Sequence, residues 1–137
     1  SGIDGTVIRQ GELEMSAYAS PLAVDLDGDG LDEGLISLMD FATMKRCTVY
    51  LVEVARPEVR ELSSLERACI STPLVTDLDR DGRLEMITST WGPRDMDTFD
   101  ARIERRTLNA NAERTVSWGA YLGNDGTGFG AGLPLLR

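Results

Sequence analysis

At 137 residues and 42% hydrophobic, with no low-complexity bias, the chain fits one ordinary domain. Its formal charge of −9 and the lack of any basic stripe to meet phosphates exclude nucleic acid as an expected partner. Histidine is absent, which removes the common Ser/His and Cys/His nucleophile pairs and nearly all zinc chemistry, and no apolar run approaches the length of a membrane span.

Taken in order, the first informative stretch is the short apolar run Ser20-Pro21-Leu22-Ala23-Val24. It leads into Asp25-Leu26-Asp27-Gly28-Asp29-Gly30-Leu31-Asp32-Glu33, and a second short run, Gly34-Leu35-Ile36-Ser37-Leu38, follows. Runs of about five residues around a glycine turn suit strands and are too short for globular helices. Residues 47–54 are β-branched and aromatic and read as the best strand in the chain. Pro57 marks a turn, 59–62 reads as a modest edge strand, and 66–71 leads into a second apolar run. That run, Thr72-Pro73-Leu74-Val75-Thr76, opens onto Asp77-Leu78-Asp79-Arg80-Asp81-Gly82-Arg83-Leu84-Glu85 and then Met86-Ile87-Thr88-Ser89-Thr90. Trp91-Gly92-Pro93 is expected to break the chain, 94–100 to form an exposed polar loop, and 101–108 an outer, solvated strand. A turn over 109–114, a strand over 116–122 and the turn-rich 123–130 complete the pattern.

The two acidic stretches align at an offset of 52 residues, with flanking runs that match on both sides. They hold nine acids between them, which equals the whole excess of acidic over basic residues, so the remainder is near neutral. A period near 50 lies in the range of propeller blades, each a four-stranded sheet. The expected organisation is therefore all-β: a partial β-propeller over 1–137, with units at about 16–67 and 68–128 and the start of a third at 129–137. Pro21, Pro73 and Pro134 open the three units. Because a pair of blades leaves edges and inner faces uncovered, the expectation is a part of a larger or multi-chain propeller, completed by further blades on another chain or by oligomerisation.

Each acidic stretch packs carboxylates that repel one another unless a cation joins them, and their oxygens then supply most of a hard-metal coordination sphere. An EF-hand requires a bidentate Glu at its twelfth position, where this chain has Ile36 and Thr88 followed by strand-like runs. The two units instead resemble the FG-GAP or VCBS-type repeat of integrin-like β-propellers, on the stretches 20–33 and 72–85. Support comes from Tyr121-Leu122-Gly123-Asn124-Asp125-Gly126-Thr127-Gly128-Phe129-Gly130, which is similar to the segment joining one such blade to the next. The resemblance implies one structural calcium per loop. The first would be held by Asp25, Asp27, Asp29, the carbonyl of Leu31 and Glu33; the second by Asp77, Asp79, Asp81, the carbonyl of Arg83 and Glu85. Two departures stand out: the closing ligand is Glu where Asp is commoner, and Arg80 and Arg83 place positive charge beside the second ion. Weaker calcium binding is expected at the second loop.

Cys47 and Cys69 allow one bridge, with two buried free thiols as the equal alternative from sequence; an exported protein favours the bridge. Trp91, Trp118 and Tyr121 read as packing between blades before sugar stacking. Arg94 and the Arg105-Arg106 pair read as solvated charges, and Asp95, Asp97 and Asp100 as an exposed loop without a glycine-centred turn. No nucleophile–base arrangement or phosphate-cradling loop is present, so no enzyme is expected. The functional expectation is a calcium-stabilised, non-catalytic protein-binding or scaffolding module of a secreted or cell-surface protein. The alternatives are a carbohydrate-binding, lectin-like propeller and an accessory domain of a secreted enzyme or toxin.

Overall fold

The computed structural model describes residues 10, 12–53, 56, 58–111 and 116–118. Among them there is no helix, and the chain is all-β. The strands in order are β1 (Ser16–Ala17), β2 (Leu22–Val24), β3 (Glu33–Met39), β4 (Cys47–Val52), β5 (Val59–Leu65), β6 (Leu74–Thr76), β7 (Arg83–Pro93), β8 (Phe99–Asn111) and β9 (Val116–Trp118). They form two antiparallel sheets, one in the order β9-β2-β3-β4-β5 with β1 also paired to β3, the other β6-β7-β8. Both acidic stretches are the turns of hairpins, β2–β3 and β6–β7. Their registers coincide 52 residues apart, Leu22 opposite Leu35 and Leu74 opposite Ile87. The arrangement follows from local chemistry: short β-branched and apolar runs pair, and glycines with positive φ at Gly28, Gly30 and Gly82 close the turns.

One core joins the two sheets. The first sheet contributes Leu22, Val24, Leu35, Val49 and Leu51, and the second Val75, Leu84, Met86, Leu108 and Ala110. Side chains alternate between faces along a strand, so these sets define which face each sheet turns inward. The inward faces are not equivalent. The counterparts of Leu22, Val24 and Leu35 are Leu74, Thr76 and Ile87, and by strand register those of Val49 and Leu51 are Ile103 and Arg105. All five lie on the face of the second sheet that points away from the core, with Leu74 39% and Ile103 78% exposed. The sheets therefore stack in the same sense, face to back, as in a heterologous contact that can repeat.

The crossover from β5 to β6 is pinned at several points. Ala68 exchanges both backbone hydrogen bonds with Trp91 of β7, at 3.0 and 2.9 Å. The guanidinium of Arg67 donates to the Asp100 carbonyl at 2.8 Å and pairs with the Asp100 carboxylate. Cys69 is joined by a disulfide to Cys47 at the start of β4. Ser20 N–H donates to the Thr72 hydroxyl at 3.0 Å, so equivalent residues of the two hairpins meet.

Three sequence expectations change. Trp91-Gly92-Pro93 does not break the chain: β7 runs through it, and the β7–β8 ladder continues to Pro93 opposite Phe99. Proline is tolerated there because it ends its strand. Gly92 lies beside the Arg67 guanidinium, which a Cβ there would meet at ordinary van der Waals distance, 3.4 Å. The outer strand expected over 101–108 is longer, Phe99–Asn111, and takes up the start of the turn expected at 109–114. The strand at 116–118, expected within the second unit, pairs through its backbone with β2 of the first sheet. Residues 119–137, including Tyr121, the turn-rich segment and Pro134, lie outside the described residues.

Candidate metal centres

In the first loop, Asp25, Asp27 and Asp29 each bring a carboxylate oxygen within 4.8 Å of the others. The loop's own amides arrange them. Asp25 accepts from Gly28 N–H at 2.5 Å and Gly30 N–H at 3.1 Å, Asp27 from Asp29 N–H at 3.1 Å, and Asp29 from Leu31 N–H at 2.8 Å. Such short-range side chain–backbone bonds are what alternating aspartates favour in a turn. Glu33 is buried, and one of its oxygens accepts from Leu26 N–H at 2.7 Å, which closes the loop across its base. It lines an open cleft of about 590 Å³ between the sheets, beside Asp27, Glu53 and Arg60. Burial pushes the Glu33 carboxyl above the ordinary glutamate range; the Leu26 N–H opposes this, and the charges of Asp27, Asp25 and Asp29 add to it.

The second loop repeats the scaffold with a different outcome. Asp77 accepts from Asp81 N–H and Gly82 N–H, both at 3.1 Å, and Glu85 accepts from Leu78 N–H at 2.9 Å. Here the group within 4.8 Å is Asp77, Asp79 and Glu85. Asp81 turns instead to Arg83, accepting from its N–H at 2.9 Å and lying 3.5 Å from its guanidinium. Glu85 is fully buried, and its Oε1 has no hydrogen-bond partner. That atom lies 3.2 Å from a guanidinium nitrogen of Arg105, within ion-pair reach but without the alignment of a hydrogen bond. Arg105 also pairs with Asp79, holding that carboxyl below the usual range, while Asp79 and then Glu85 raise Arg105 above its own. Of the two groups the sequence proposed, the structure gathers Asp25, Asp27 and Asp29, and Asp77, Asp79 and Glu85; Glu33 and Asp81 stand at their margins, Leu31 lies in the first turn, and Arg83 opens β7.

Two hard-oxygen groups with this spacing can hold a metal ion. Comparisons with family models, curated proteins and solved structures give no significant match. The buried Glu85 oxygen, which makes no hydrogen bond and has the Arg105 guanidinium beside it as an ion pair, and the grouped carboxylates of the first loop are what a divalent cation would bind, and the all-oxygen donor set fits a hard ion.

The neighbours of these groups were not legible in the sequence. Arg56 donates to Asp27 at 2.6 Å and also contacts Glu53, which is buried between Arg56 and Arg60. Arg105, read as a solvated charge, is bound inside the chain. Only strand register brings it to a loop 26 residues away. Asp100, read as part of an exposed loop, pairs with the largely buried Arg67, which holds the Asp100 carboxyl below the usual range. Asp95 does shape an exposed turn, accepting from Asp97 and Thr98 N–H at 3.0 and 2.9 Å. Trp91 packs against Phe99 with ring centroids 5.5 Å apart.

The loops also differ in backbone strain. Gly28, with φ 80°, is matched in the second loop by Arg80 at φ 61°, a conformation that costs an L side chain about 1–2 kcal/mol. Arg80→Gly is therefore expected to raise stability by up to about 1 kcal/mol, after glycine's greater freedom in the unfolded chain is counted. Urea unfolding of the variant checks this, and a loss of stability would show that Arg80 makes compensating contacts.

Proposed function

We propose that the chain is a calcium-stabilised set of β-propeller blades, acting as a non-catalytic protein-binding or scaffolding module of an exported or surface protein. The observation that carries this reading is the face-to-back stacking of the two sheets. The second sheet leaves partly open the counterpart of the face that the first sheet buries: Leu74 and Ile103 are exposed and Ile87 is half-buried, at the positions of the buried Leu22, Val49 and Leu35. A further blade stacked in the same sense would cover it, whether supplied by another chain or by a second copy. The disulfide suits an oxidising, extracytoplasmic setting.

In this reading Asp25, Asp27 and Asp29, with Glu33 behind them, hold one calcium ion, and Asp77, Asp79 and Glu85 hold another. Bound calcium would neutralise each loop and tie the two strands of its hairpin together, so that metal affinity adds to folding stability. Thermal unfolding in excess calcium and in EDTA tests this. At a free calcium concentration a hundredfold above the dissociation constant, each site adds about 2.7 kcal/mol. The expected result is a marked rise in Tm with calcium, reduced by Asp25→Ala or Asp77→Ala. Identical midpoints in calcium and EDTA would overturn the calcium reading, and a strictly monomeric chain whose exposed sheet face binds nothing would weaken the blade reading.

A further inference from the structure

The two loops share their scaffold but not their neighbour across the sheet. At the place where β4 sets Leu51 beside β3, β8 sets Arg105 beside β7. Leu51 is buried in the core and carries no charge, whereas the Arg105 side chain is 41% exposed and reaches back to the acidic loop. Its guanidinium contacts Asp79 and Glu85, two of the three residues whose oxygens lie within 4.8 Å of one another. In the first loop Arg56 contacts Asp27 alone among the grouped aspartates, from an exposed rim, and its other contact is Glu53, outside the loop.

We infer that Arg105 is a tethered cation that occupies the second acidic loop when no metal is bound, and that it makes this loop the exchangeable one of the two cation sites. The inference rests on the calcium reading of the loops and deepens it. The guanidinium and a divalent ion would draw on the same Asp79 and Glu85 oxygens, and two cations held within a few ångströms repel strongly. Occupancy by one therefore expels the other. Two observations point to a cation position here beyond the acidity of the loop. Glu85 is fully buried and its Oε1 makes no hydrogen bond, and a cation, the Arg105 guanidinium, already stands 3.2 Å from that oxygen as an ion pair. The long, half-exposed side chain has solvent to move into, so release requires no rearrangement of β8. Arg80 and Arg83 are secondary: Arg83 pairs with Asp81, at the margin of the group.

The test isolates the second loop by measuring calcium binding calorimetrically in a chain carrying Asp27→Ala. Adding Arg105→Gln is expected to tighten binding about tenfold, the scale set by freeing two carboxylates from one partly exposed cation. Arg106→Gln, on the opposite face of the same strand and near the Leu62 carbonyl at 3.4 Å, removes the same charge and is expected to change little. Arg105→Lys keeps a cation and is expected to stay near the parent. Equal affinities with and without Arg105, or equal gains from Arg105→Gln and Arg106→Gln, overturn the inference while leaving calcium binding intact. If no calcium heat appears in any variant, including the unmodified chain, the calcium reading falls and the inference with it. Should Arg105→Gln fail to fold, the side-chain Nε–Hε resonance of Arg105 in the unmodified chain decides. It is expected to shift when calcium moves the amides of Leu78 and Gly82, and an unmoved resonance overturns the inference.

Discussion

Removing the Cys47–Cys69 bridge is expected to lower the stability of the metal-free chain by about 3 kcal/mol, within a range of 2–5. The bridge spans a sequence separation of 22 and joins the start of β4 in the first sheet to the crossover that enters the second. In the reduced, unfolded chain that segment gains loop-closure freedom that the oxidised chain lacks. Both cysteines are buried, so alanine is the better replacement; a serine would also bury hydroxyls in need of partners. The measurement is urea unfolding of the oxidised chain, the same chain with reductant, and the Cys47→Ala/Cys69→Ala variant. Reductant and the double variant should shift the midpoint alike. The crossover would keep its Ala68–Trp91 backbone bonds and the Arg67–Asp100 pair, so the fold itself should survive. An unchanged midpoint would mean that those contacts alone already hold the crossover.

Leu35→Ala in the first sheet and Leu84→Ala in the second are each expected to cost about 2–5 kcal/mol, the transfer loss plus the cavity left behind. Both side chains are almost fully buried and belong to one core cluster. Because that cluster draws on both sheets, either substitution should move a single unfolding transition followed by near-ultraviolet circular dichroism and by calorimetry. A transition that splits, with Leu35→Ala shifting only one part, would show that the sheets are stable independently. Ile103→Ala supplies the contrast. It removes a larger aliphatic group than a Val would, from a position 78% exposed, and should stay within about 0.5 kcal/mol of the parent. If a further blade covers that face in an assembly, the same substitution would weaken the assembly and leave the isolated chain unaffected.

Much of the strand pattern was legible because it is local. The apolar runs on either side of each acidic stretch are too short for helices, and the glycines mark their turns, so the β2–β3 and β6–β7 hairpins follow from adjacent residues. The acidic groups were legible for the same reason: Asp25, Asp27 and Asp29 lie within five residues, and the turn's own amides bring them together. At Trp91-Gly92-Pro93 glycine and proline do not act as punctuation, because β7 continues through them. There the glycine continues the ladder opposite Asp100, and the proline sits at its last rung.

The sequence by itself determined the elements and the chemistry of the turns, because both depend on residues a few positions apart. Tertiary structure alone decided which cysteine alternative holds, which arginines meet which carboxylates, and which apolar faces are covered. Leu22 and Leu74 occupy matching places in matching runs, yet one is buried and the other 39% exposed. The difference lies in what packs against each sheet, and no local pattern encodes that. Arg105 reaches Asp79 and Glu85 for a related reason: strand register sets a residue on β8 beside a turn 26 positions earlier, and register is settled by the pairing of whole strands.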